Sequence, residues 1–125
     1  MKLEDLFHTS EYDEQKNVIE YCDTVLHIPI YHIANEGKRS TVTGARLKAI
    51  GLRPGFPDLC VPMARGKYHS LYIEMKAKGG KLSQDQKTWL SILKQEGHAT
   101  AVCYGFDEAI KIIEQYIKLK EADNG

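Results

Sequence analysis

The sequence predicts an α/β fold: one domain spanning residues 1–125, with a central mixed β-sheet flanked by helices. Three observations predict it. Apolar, β-branched runs alternate with amphipathic stretches in the order α, β, α, β, β, α, β, α. Glycine and proline clusters separate them, with no repeat, low-complexity tract or long linker between. At 125 residues the chain can bury a core without disulfides or a structural metal.

Ser10, followed by acids at 11, 13 and 14, has the form of a helix start: a capping hydroxyl with anions in the first turn. This helix is expected to reach about Asp23. Residues 25–33, Val-Leu-His-Ile-Pro-Ile-Tyr-His-Ile, read as a strand, with Pro29 marking an edge or a bulge. A polar loop over 35–40 precedes a short helix, Thr43 to Ile50, stopped by Gly51. Gly51, Pro54, Gly55 and Pro57 lead into a second strand, Asp58 to Met63. Arg65-Gly66-Lys67 turns the chain into a third, His69 to Ala77, which Gly79-Gly80 ends. Ser83 caps a helix from Gln84 to about Gln95 with Trp89, Leu90 and Leu93 on its apolar face. Gly97 stops it, Ala99 to Tyr104 forms the fourth strand, and Phe106 to Lys120 the last helix.

Reactive side chains concentrate where the second and third strands meet. Asp58 opens one strand, and Glu74-Met75-Lys76 closes its hairpin partner. Strand side chains alternate, so Glu74 and Lys76 share a face while Met75 takes the other. Adjacent strands lie about 5 Å apart, close enough for Asp58 and Glu74 to share one cation. Two unpaired carboxylates that close repel, and one takes up a proton unless a cation intervenes. The bland alternative is an edge hairpin carrying a surface Glu74–Lys76 ion pair.

The formal net charge of zero hides a segregation. Residues 36–81 carry +7, with ten cations against Glu36, Asp58 and Glu74, while residues 1–35 carry −5 and residues 82–125 carry −2. A cationic surface around an anionic pocket suits a polyanion whose phosphate meets a metal, which makes nucleic acid the expected partner. A solvated charged face is the plainer reading. Cys22, Cys60 and Cys103 are odd in number and lie in apolar runs, as buried thiols of a reducing cytoplasm do. The five histidines show no paired metal-ligand spacing. Acids at the N-terminus argue against a signal peptide, and no run approaches the ~20 apolar residues of a membrane span.

These residues resemble a known family. Pro57-Asp58 with Glu74-x-Lys76 is similar to the PD-(D/E)XK nuclease superfamily, and the flanking residues narrow the resemblance to the VRR-NUC family. They are Glu11-x-x-x-Gln15, Asn35-x-Gly37-Lys38-Arg39, Ala45-Arg46-Leu47-Lys48 and Gly51-x-x-x-Gly55-x-Pro57-Asp58-Leu59. Tyr68-His69-x-Leu71-x-Ile73-Glu74-Met75-Lys76, Leu82-Ser83-x-x-Gln86, Gly97 and Val102-Cys103 before Phe106-Asp107-Glu108 complete the series. Glu36 departs from it, since such sequences often carry a small residue there. The resemblance covers almost the whole chain, as in the short stand-alone forms of phages and prophages.

It implies a restriction-endonuclease-like fold and Mg²⁺- or Mn²⁺-dependent hydrolysis of DNA phosphodiesters, with branched DNA such as Holliday junctions favoured. By position, Asp58 and Glu74 would bind metal, with the Met75 carbonyl and Glu11 as further contacts. Helical spacing also puts Glu11 on one stripe with Gln15, Val18 and Cys22, whereas its rival Glu14 shares a stripe with Val18 and Tyr21. Lys76 would position the attacking water and stabilise charge on phosphorus. Gln86 would orient Lys76 or touch phosphate, unless it serves the capping turn. Lys38, Arg39, Arg46 and Lys78 would grip the DNA backbone. Matched cuts at a four-way junction call for a two-fold homodimer. The alternatives are a non-catalytic DNA-binding or replication-accessory module on the same fold, and a nuclease preferring flaps or splayed arms.

Overall fold

The computed structural model describes residues 10–34 and 41–121. Lys38 and Arg39, and with them the departure at Glu36, lie outside the described residues. Helix α1 (Glu11–Tyr21) starts as its sequence requires: the Ser10 hydroxyl accepts the Asp13 N–H. It then widens into a π-helical turn, Cys22–Leu26, that ends where His27 turns left-handed at φ 52° and Ile28 N–H returns to the Cys22 carbonyl. This corrects the expected strand over 25–33. Val25 and Leu26 belong to the turn, Pro29 has no N–H to pair, and β1 shrinks to Tyr31–His32.

Helix α2 (Thr41–Ala49) starts two residues earlier than expected and runs into Gly51, which takes φ +111°. Strands β2 (Leu59–Val61), β3 (Leu71–Met75) and β4 (Ala99–Cys103) are shorter than their apolar runs. Pro62 removes a donor just after β2, and Arg65 and Tyr68 close the turn with reciprocal backbone bonds of 3.1 and 2.9 Å. Helix α3 (Gln84–Gln95) has the predicted bounds. Helix α4 (Phe106–Ile117) stops three residues short of Lys120 because the chain is drawn back to that turn. Gly66 N–H donates to the Lys120 carbonyl, and Arg65 Nε–H reaches the Ile117 carbonyl.

The sheet order is β1-β2-β3-β4, antiparallel except for the parallel pair β3–β4. It is the mixed sheet covered by helices that the alternation predicts. Leu59, Val61, Leu71, Ile73 and Met75 occupy alternate positions and share one face. They pack with Val18 and Cys22 of α1 and its π turn and with Ala109, Ile110, Ile113 and Tyr116 of α4. Trp89, expected in the core, is half-buried instead, edge-on to Phe56 at 5.0 Å. Cys22, Cys60 and Cys103 are buried free thiols. No helix among the described residues is long and apolar enough to cross a membrane.

Candidate metal and phosphate site

Register brings the two carboxylates together. Leu59 pairs with Ile73, so one step outward along the antiparallel ladder Asp58 faces Glu74. Asp58 precedes β2 rather than opening it, and its side chain is half-buried. Its Oδ2 accepts the Met75 N–H at 2.8 Å. Glu74 is 2 % exposed on a strand flanked on both sides by others, so it is not half of a surface ion pair on an edge hairpin. Met75 points into the core, as alternation requires.

Glu74 is a carboxylate under stress. Burial, then a hydrogen bond to Asp58, then the Asp58 charge push its pKa from 4.5 up to about 9. The Lys76 ammonium pulls it down, and the Glu11 charge adds a further upward push. Its Oε1 is buried with no hydrogen-bond partner. A buried acceptor left unpaired costs about 1–3 kcal/mol and calls for an explanation. Two crowded carboxylates, one with an orphaned oxygen, are the donor set a hard divalent cation takes. The residues therefore fit Mg²⁺ or Mn²⁺. Among the described residues no three His, Cys, Asp or Glu side chains close into a metal-holding group, and Glu11 is exposed and reaches Glu74 through its charge.

Helices α1, α3 and α4 begin at this end of the sheet. Glu14 is engaged elsewhere: its Oε2 accepts the Phe106 N–H, capping α4, whose own N-cap Gly105 has no side chain. That separates the two acids of the first helix, since Glu14 caps α4 whereas Glu11 acts on Glu74. Gln86 closes a capping box, its Oε1 accepting the Ser83 N–H at 2.8 Å while Ser83 Oγ accepts its N–H at 3.2 Å. The geometry thus uses Gln86 to begin α3. Gly55, at φ +82°, lets the loop before Asp58 lie against that first turn: a Cβ there would fall 2.6 Å from Asp85 Cβ and 2.7 Å from the Gln86 nitrogen.

Lys76 follows β3 half-buried, its N–H donating to the Cys103 carbonyl at 2.9 Å. Tyr104, just past β4, donates its hydroxyl to the Gly80 carbonyl at 3.1 Å and braces the turn carrying Lys78. Arg46 and Lys48 in the last turn of α2, and Lys78, are exposed. Gln15 and His32 meet at 3.0 Å, and His32 touches the Asp58 carbonyl. No signal in the sequence singles out His32, because only strand pairing brings it to Asp58.

The chain is similar to proteins of one known family. The family model described as VRR-NUC domain matches residues 30–107. A solved structure titled "VRR_NUC domain protein" is 31% identical at a TM-score of 0.79, over 93% of this chain and 94% of that one. No curated protein matches.

Proposed function

Because the chain belongs to the VRR-NUC family, we propose that it is a Mg²⁺- or Mn²⁺-dependent endodeoxyribonuclease that cuts branched DNA such as Holliday junctions. The family makes it a nuclease-like, DNA-processing module. The observation that carries the metal is the orphaned, buried Oε1 of Glu74 beside Asp58. Asp58 and Glu74 would hold the ion, with the Met75 carbonyl as a further ligand and Glu11 adding negative charge. A bound ion would polarise the scissile phosphate and acidify a water. Lys76, on the Glu74 face of β3, would orient that water and offset charge on the phosphoryl oxygens. Gln86 would serve through the start of α3. Arg46 and Lys78, with Lys38 and Arg39, would hold the sugar-phosphate backbone.

The whole chain, 1–125, acts in this reading as one nuclease unit, paired two-fold so that two cuts fall symmetrically on a junction. A phage or prophage source and a site of action in the bacterial cytoplasm belong to the same proposal. Labelled four-way junctions, flaps, splayed arms and plain duplex, each in Mg²⁺ and in EDTA, test it. Cleavage of branched substrates in Mg²⁺ alone is expected. Binding without cleavage in both would establish the non-catalytic module instead, and preferred cutting of flaps or splayed arms would reassign the substrate. A monomer on gel filtration at micromolar concentration, with and without DNA, would remove the two-fold arrangement.

A further inference from the structure

Asp58 is gripped at its main chain as well as at its carboxylate. Its carbonyl accepts the Ile33 N–H at 2.8 Å and lies 2.9 Å from His32 Nδ1. A carbonyl only accepts, so a hydrogen bond here puts an imidazole proton on Nδ1. The amide nitrogen Nε2 of Gln15, on α1, lies 3.0 Å from the same Nδ1. An N–H cannot donate to an N–H, so with Nδ1 protonated the Gln15 amide is assigned the flipped orientation, its oxygen toward the ring.

We infer that His32, oriented by Gln15, is a positioning residue that sets Asp58 for its divalent ion. The inference rests on the metal-dependent reading above. The physical need is local. Asp58 lies outside β2, and the edge strand beside it has only two residues, Tyr31–His32. The Ile33 amide holds the Asp58 carbonyl oxygen from that short edge strand. The imidazole N–H is a second point of attachment on the same oxygen, and Gln15 ties that point to the first helix. Hydrogen-bond partners lying behind metal ligands commonly change metal affinity or activity by about 10–100-fold when removed.

Three variants separate geometry from bulk. His32→Asn keeps an N–H where Nδ1 sits, His32→Gln places one where Nε2 sits, and His32→Ala has neither. Calorimetric Mn²⁺ titration of the metal-stripped full chain should show binding weakened about 10–100-fold in His32→Ala. His32→Asn should recover most of that loss and His32→Gln little of it. Nitrogen NMR of the metal-free wild type should find His32 protonated on Nδ1, a readout independent of the variants' folding. Unchanged Mn²⁺ affinity in His32→Ala, an Asn variant no better than Ala, or a ring protonated on Nε2 alone would each overturn the assignment. Wild type that binds and cuts while His32→Ala matches it removes this role alone. Wild type that binds no Mn²⁺ removes the metal site and this role together.

Discussion

The backbone N–H of Met75 donates to Oδ2 of Asp58 across 2.8 Å. The strand that carries Glu74 thereby also fixes the carboxylate facing it. Asp58 cannot turn away from Glu74 without leaving that amide unpaired, so the two acids stay close although their charges oppose it. Repulsion is built into the site by a backbone bond.

Replacing either acid therefore separates catalysis from stability. Asp58→Ala and Glu74→Ala should each abolish Mg²⁺-dependent cleavage. Lys76→Ala should lower kcat by about 10²–10³-fold, the usual effect of losing one group that stabilises transition-state charge. Circular dichroism should find all three folded. Retained cutting in any two of them rejects the site.

The raised Glu74 pKa has a pH signature. Its proton leaves the unfolded chain near 4.5 and the folded one near 9. Between those values the folded state holds the extra proton, so raising pH favours unfolding, by up to about 1.4 kcal/mol per pH unit. The metal-free protein should lose stability from about pH 5 toward pH 9, and Glu74→Gln should flatten that dependence. Saturating Mn²⁺ should do the same for wild type, because binding displaces the proton. Denaturant melts across the range, with and without Mn²⁺, measure both; equal slopes in wild type and Glu74→Gln would refute the assignment.

Glu11 and Glu14 should behave oppositely. Glu14→Ala removes the acceptor at the α4 N-terminus and should cost about 1 kcal/mol while Mn²⁺ affinity stays near wild type. Glu11→Ala should leave the melting temperature nearly unchanged and weaken Mn²⁺ binding. The reverse pattern would exchange their roles.

Gln86→Ala breaks the capping box and should cost about 1 kcal/mol. Gln86→Glu preserves the box, since a glutamate oxygen accepts the same Ser83 N–H. It should therefore retain cleavage if Gln86 acts only through the helix start. Folded but inactive Gln86→Glu would return the residue to the chemistry. Gly55→Ala should be worse than either, by roughly 1–3 kcal/mol, since it combines positive φ with a Cβ pressed on Asp85 and Gln86.

Arg46→Ala and Lys78→Ala should weaken DNA binding evenly across sequences and each reduce the slope of log affinity against log salt by about 1. Filter binding at several salt concentrations reads this directly. An unchanged slope places that side chain off the DNA path.

Much of this molecule is determined by short-range rules that a sequence displays on its face. The Ser83 cap, the bounds of α3, the alternation that sends Met75 inward, and the facing of Asp58 with Glu74 follow from local chemistry and a two-residue period. The apolar run over 25–33 is split: Val25 and Leu26 complete the π turn and only Tyr31–His32 pair as a strand, because Cys22 and Leu26 pack into the core. Tertiary structure alone decided the long-range partnerships: Glu14 with the α4 N-terminus, His32 with the Asp58 carbonyl, Gly55 against Asp85. The first of these joins residues 92 positions apart and the second 26 apart, and no sequence period links such positions. Burial of Glu74 is likewise a property of its neighbours. The residue type states that an acid is present, and only the strands and helices packed around it determine what it costs to charge.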